Sequence, residues 1–212
     1  MHIYAFGSIV RGEISIGSDV DLLAIIEGYD PRFEPDIFSI YSYNRIEELW
    51  KEGNPFAWHL SMESKLLYSH DGSNFLEELG KPLPYKSCFR DCEKFFALFR
   101  ESQKSICAGS NSMVFDLSTV FLSIRNLASC FSLGVLNRPD FSRHSSLRLG
   151  DDNIPISQQS YRILERTRIL STRGVGSIPS REEGMLVIKE LETIQRWMKD
   201  LLKRSREHER IQ

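Results

Sequence analysis

Two carboxylates and a pair of small residues stand at a spacing that suits phosphate chemistry. Gly7-Ser8 is followed, after ten intervening residues, by Asp19-Val20-Asp21. Aspartates at i and i+2 of a strand point to the same side, about 7 Å apart along the chain. Carboxylates so placed can ligate hard cations that also bind triphosphate oxygens. The Gly-Ser pair, between an expected strand and an expected helix, offers backbone amides and little side-chain bulk, a setting that holds phosphate. Asp-x-Asp alone is common in surface turns. Here the five residues after Asp21 (LLAII) are continuously apolar, so the second carboxylate opens a buried strand. An unpaired charge there is costly unless a cation or a partner accounts for it.

The elements that must position these residues follow from pattern. His2–Phe6 reads as a strand, Ile9–Ile14 as a short helix, and Asp19–Ile26 as a buried strand between Gly17-Ser18 and a loop at Gly28, Asp30 and Pro31. Asp36–Tyr43 is expected as a third strand. Asn44 is a suitable cap for a helix over Arg45–Glu52 that stops at Gly53. Trp58–Tyr68 is a helix-or-strand passage that closes this part. Gly80–Pro84, with two prolines, is the expected linker. Beyond it, Cys88–Ile106, Phe115–Leu133, Ser157–Ser171 and Glu182–Arg206 carry long amphipathic periodicity, a four-helix pattern broken at Gly134–Pro155. The charged stretch Lys199–Arg210 is expected to be a frayed surface end. The expected fold is thus α+β: a small mixed sheet with helices over residues 1–80, then an all-α helical bundle over 85–212.

Composition narrows the class further. A net charge of -2 over 212 residues gives no global attraction to nucleic acid. Cys88, Cys92, Cys107 and Cys130 show no CxxC or Cys/His zinc spacing, so buried thiols and a reducing compartment are expected. No leader pattern is visible and no apolar stretch approaches bilayer length, which points to a cytoplasmic protein without a membrane partner. The sequence has no GxxxxGK[ST] loop, GxSxG elbow or GxGxxG fingerprint.

The run YAFGSIVRGEISIGSDVDLLAII resembles the signature of DNA polymerase β-like nucleotidyltransferases, in particular their minimal and aminoglycoside-modifying branch. The likeness is specific as far as Asp30 and weaker through RIEELWKEGNPFAWHLSMESKLLY. It implies transfer of a nucleoside monophosphate from an NTP to a hydroxyl of an acceptor, dependent on Mg²⁺ (or Mn²⁺). The acceptor class stays open among small molecule, protein and RNA. By the resemblance Gly7, Ser8, Arg11 and Ser18 serve nucleotide binding, while Asp19 and Asp21 ligate metal. Two departures stand out. The chain begins almost on the first strand, where family members usually have a helix. The third carboxylate is the other: Asp36 can supply it, but a register set from the following helix puts Ser39 there, which cannot ligate or act as base. Loss of that acid would favour a degenerate transferase that binds nucleotide as a regulator or interaction protein.

The helical half adds a second signal. Every cationic residue between Lys104 and Lys189 is arginine, from Arg125 to Arg181. Arginine suits phosphate and carboxylate recognition, so the half without metal-binding residues is expected to present the acceptor. Arg162, Arg166 and Arg173 are the preferred trio, the first two one helical turn apart; the alternative is solvated salt bridges with Asp151, Asp152, Glu165 and Glu182. Arg138 followed by His144 resembles the motif of HEPN ribonuclease domains, although Pro139 interrupts it.

Overall fold

The apolar run after Asp21 becomes an interior strand of a sheet that has four strands among the described residues. The computed structural model describes residues 1–13 and 20–210. β1 (His2–Phe6), β2 (Asp21–Ile25), β3 (Phe38–Tyr41) and β4 (Ser64–Ser69) lie in the order β3-β2-β1-β4. β1 pairs antiparallel with both β2 and β4, and β2 pairs parallel with β3, so the sheet is mixed. Strand alternation sorts the side chains. Leu23, Ile25, Tyr4 and Phe6 enter the main core with Ile46, Leu49, Trp50, Ala57 and Leu60. Ala24 and Ile26 face a smaller cluster with Phe33, Phe38 and Ile40.

α1 (Tyr43–Glu52) and α2 (Pro55–Glu63) cover the main core. The cap of α1 is Ser42, which accepts from Arg45 N at 3.2 Å, in place of the expected Asn44. Gly53 ends α1 in the left-handed region, and Asn54 and Pro55 start α2 as side-chain cap and first-turn proline. The passage expected as helix or strand is therefore both, α2 running directly into β4. The expected helix at Ile9–Ile14 is instead a single 3₁₀ turn at Gly7–Ile9 followed by a turn through Gly12, with Ile14 outside the described residues. After a short α3 (Phe75–Glu78), the Gly80–Pro84 segment is tied down. Trp50 Nε1 donates to Gly80 O (3.0 Å), Trp58 Nε1 to Leu83 O (3.1 Å), and Leu83 N to Trp50 O (3.0 Å).

The chain divides into two compact units, Met1–Lys86 and Ser87–Gln212. The second is built on α4 (Cys88–Cys107), α5 (Met113–Gly134), α6 (Gln158–Arg173) and α7 (Arg181–Glu209). α5 is its core helix. By length and composition α5 could cross a bilayer, contrary to the expectation that no stretch approaches that length, but 72% of its apolar window is buried inside the unit. Cys88, Cys92 and Cys130 are buried free thiols, and the hydrogen bond with Cys88 together with burial pushes the Cys92 thiol well up. Cys107, at the end of α4, is exposed, against expectation. The charged C-terminal stretch is not frayed. α7 runs to Glu209, which accepts from Phe89 N at 2.6 Å, while Arg204 and Arg206 lie over the rings of Phe131 and Phe89.

Candidate active site

Phe6, the last residue of β1, pairs with Asp21 on one side and with Ser64 on the other. The next residue, Gly7, is buried with φ +74°, and a Cβ built on it would lie 2.8 Å from Asp21 Oδ2 and 3.9 Å from His59 Cε1. Only glycine allows both this backbone conformation and this approach of a carboxylate to the main chain. The sequence motif thus becomes one contact: Asp21 opens β2 and its carboxylate rests against Gly7.

A charged cluster continues from there. His59 and Glu63 stand one turn apart on α2, with His59 Nε2 2.9 Å from Glu63 Oε2. Glu63 also pairs with Arg11 Nη1, and Arg11 Nε donates to Glu13 Oε2 at 3.0 Å. These groups are largely withdrawn from water: Arg11 is 19% exposed and both His59 and Glu63 are 14% exposed at the side chain. Burial lowers the Arg11 pKa, but the carboxylates of Glu13 and Glu63 outweigh it and hold the guanidinium charged. A carboxylate ending a helix opposes the negative end of the helix dipole. Glu63 occupies that position at the end of α2, with Arg11 as its counter-charge.

Of the residues expected at the site, Gly7, Ser8, Arg11 and Asp21 come together around the end of β1. Ser18 and Asp19 lie outside the described residues. Asp36 is exposed, in the turn before β3. Because β2 and β3 are parallel, with Leu22 opposite Phe38, Asp36 sits at the same end of the sheet as Asp21. Ser39, opposite Leu23, is on the strand face shared by Asp21. His59 and Glu63 were not singled out by the sequence; the i, i+4 spacing was visible, but only the pairing of β4 with β1 brings it beside Gly7.

In the second unit, Arg162 is exposed on α6 and Arg166 pairs with Glu183 of α7 at 2.6 Å. Arg173 ends α6 before the left-handed Gly174. Glu165 pairs with His144 (3.2 Å) and Arg143 (3.6 Å). Arg138 lies in the loop after α5 and His144 just before the 3₁₀ turn at Ser145–Leu147, so neither opens a long helix.

Residues 2–81 match the family model described as a nucleotidyltransferase domain. The Met1–Lys86 unit therefore carries a nucleotidyltransferase domain, a small mixed sheet with helices, and a mostly helical region follows it. A search of curated proteins found no match.

Proposed function

We propose that the chain transfers a nucleoside monophosphate from an NTP to an acceptor hydroxyl, with release of pyrophosphate. The observation that carries this reading is the seating of Asp21 on Gly7 inside a domain of the nucleotidyltransferase family. The donor set, all carboxylate oxygen, suits a hard cation. Asp19 and Asp21 would hold magnesium, or manganese, with Asp36 as the third carboxylate at the same end of the sheet. When bound, the metal supplies neutralisation of the triphosphate charge and a firmer hold on the leaving pyrophosphate.

The chain's own residues position. Gly7 and Ser8 let the triphosphate approach the main chain, Ser18 is proposed to bind it, and Arg11, paired with Glu13 and Glu63, would contribute charge by exchanging one of those carboxylates for a phosphate oxygen. Phosphoryl transfer needs little covalent help from the protein, so alignment and charge carry most of the rate. Arg162 and Arg173 are proposed to bind an anionic acceptor, while Arg166 is engaged with Glu183.

Labelled NTPs, each incubated with protein, magnesium and a cell extract, test the reading: label should move to an acceptor, and Asp21→Asn and Asp19→Asn should abolish transfer. Label transfer that persists in both variants overturns it. Asp36→Asn should lose turnover while keeping nucleotide affinity. Ser39 on the Asp21 face favours a second reading, a nucleotide-binding regulator without transfer. Metal-dependent NTP binding with no label transfer to any fraction of the extract would select it.

A further inference from the structure

At the end of β1 away from Gly7, two imidazoles converge on one carboxylate. His2 opens β1 opposite Ser69, the last residue of β4, and His70-Asp71 follow at once. His2 is 2% exposed. Its Nδ1 lies 2.8 Å from the Tyr43 hydroxyl, and its Nε2 faces Asp71 Oδ1 at 3.4 Å and Ser73 Oγ at 3.1 Å. His70 Nδ1 is engaged by Met1, 3.3 Å from its carbonyl oxygen and 2.6 Å from its amino nitrogen, and its Nε2 faces Asp71 Oδ2 at 3.7 Å. One ligand atom from each of the three residues lies within 4.8 Å of the others.

We propose that His2, His70 and Asp71 form a site for a zinc-type divalent cation, with its fourth position open to water or a small anion.

The Tyr43 hydroxyl and the Met1 carbonyl oxygen can accept from Nδ1–H of His2 and His70, which leaves Nε2 of each ring aimed at Asp71, the outer-contact pattern that orients metal-ligating histidines; at His70 the Met1 amino group must then give up Nδ1. Asp71 Oδ1 accepts from Ser69 Oγ (2.7 Å) and from Ser73 N and Oγ (3.0 and 2.8 Å), which fixes the carboxylate; two imidazoles face it where a simple His–carboxylate pair needs one, and a cation between them would draw on all three side chains. Two nitrogens and one oxygen suit a borderline cation such as zinc, whereas magnesium takes oxygen ligands. Zinc bonds of 2.0–2.1 Å at tetrahedral angles set ligand atoms about 3.3 Å apart; the imidazoles reach Asp71 through different oxygens, Oδ1 at 3.4 Å and Oδ2 at 3.7 Å, and the three ligand atoms lie within 4.8 Å of one another, so side-chain rotations of up to about 1.5 Å close the site. The fourth position opens onto a cavity of about 620 Å³ lined by Glu27, Asp30, Arg32, Tyr43, Ser73 and Glu78. The length of β1, about 13 Å by strand rise, separates this site from Gly7, so it does not depend on the transferase reading.

The test uses the untagged, metal-stripped full chain titrated with Co²⁺ and then Zn²⁺. One equivalent of Co²⁺ should develop visible absorption of a low-coordinate nitrogen/oxygen site, and Zn²⁺ should displace it and raise Tm. His70→Ala and Asp71→Asn should each weaken Co²⁺ affinity at least tenfold, and His70→Cys, which keeps a ligand, should retain the site. Circular dichroism of the apo variants checks that they fold. Asp21→Asn should leave the visible cobalt absorption of the His2/His70/Asp71 site and its displacement by Zn²⁺ unchanged. Equal affinity in wild type and the His70→Ala/Asp71→Asn double variant overturns the site, as does loss of the cobalt spectrum in Asp21→Asn instead.

Discussion

Gly7 and Asp21 are fourteen positions apart in the sequence and in contact in the fold. A methyl group on Gly7 meets Asp21 Oδ2 at 2.8 Å and forces a side chain into positive φ, a strain of about 1–3 kcal/mol. Gly7→Ala is expected to lower Tm and to weaken metal-dependent NTP affinity at least tenfold, because the carboxylate must leave its seat. Calorimetry on the folded variant checks this; unchanged affinity separates Asp21 from the nucleotide. In the helical unit, Glu165 carries a different expectation. The hydrogen bond from His144, partly opposed by burial and aided by Arg143, holds its pKa below the usual carboxylate value. A depressed carboxylate pKa stabilises the fold above the unfolded value of about 4.3, and that stability is lost as pH falls through the folded value. Glu165→Gln should therefore cost about 1 kcal/mol at pH 7 and nearly nothing in strong acid. Urea titrations of both proteins at pH 7 and below pH 4 measure the difference, and a gap that persists in acid assigns it to packing.

Elements are joined here by their caps and by the segments laid over them. Gly53 ends α1 in the left-handed region, and the main chain of Leu83 and Pro84 passes so close that an added Cβ would lie 2.5 and 2.4 Å from their carbonyl oxygens. Backbone cannot yield as a side chain can. Gly53→Ala is expected to destabilise the first unit by about 3 kcal/mol or more, read as a loss of Tm. At the start of α7 the reciprocal hydrogen bonds of Ser180 and Glu183 form a capping box, and Ser180→Ala should cost about 1 kcal/mol. Glu183 also receives Arg166, so the same residue fixes a helix start and joins α6 to α7.

The molecule has two units, and the proline-containing segment between the expected domains belongs to the first. Residues 80–84 supply the acceptors for Trp50 and Trp58 and the backbone packed on Gly53. A fragment of residues 1–86 should unfold cooperatively, followed by the fluorescence of those two tryptophans. A fragment cut at 80 should melt at lower temperature, since it lacks the Leu83 carbonyl and amide. Equal melting of the two fragments would return the segment to the role of a passive linker. The second unit owes its order to α5, buried nearly all round, and to α7, whose charged end uses long side-chain stems over Phe89 and Phe131.

Local chemistry determined a good deal by itself. Strand alternation around LLAII, the Gly53-Asn54-Pro55 stop and start, and the amphipathic period after residue 87 each act within a few residues, and the α+β order follows from them. The Gly-Ser and Asp-x-Asp spacing marked one end of β1 for the same reason. Short-range patterns do not encode which strands pair. The pairing of Phe6 with both Asp21 and Ser64 decided that His59 and Glu63 stand beside Gly7, and the pairing of His2 with Ser69 decided that His70 and Asp71 meet it. Burial of one face of α7 outweighed its charge, so an end that composition marked for fraying is held. The direction of β3 was equally beyond sequence: running parallel to β2, it places Asp36 at the Asp21 end of the sheet and Ser39 on the Asp21 face. Contacts across tens of residues are set by how apolar faces close on one another, and that closure exists only in the folded chain.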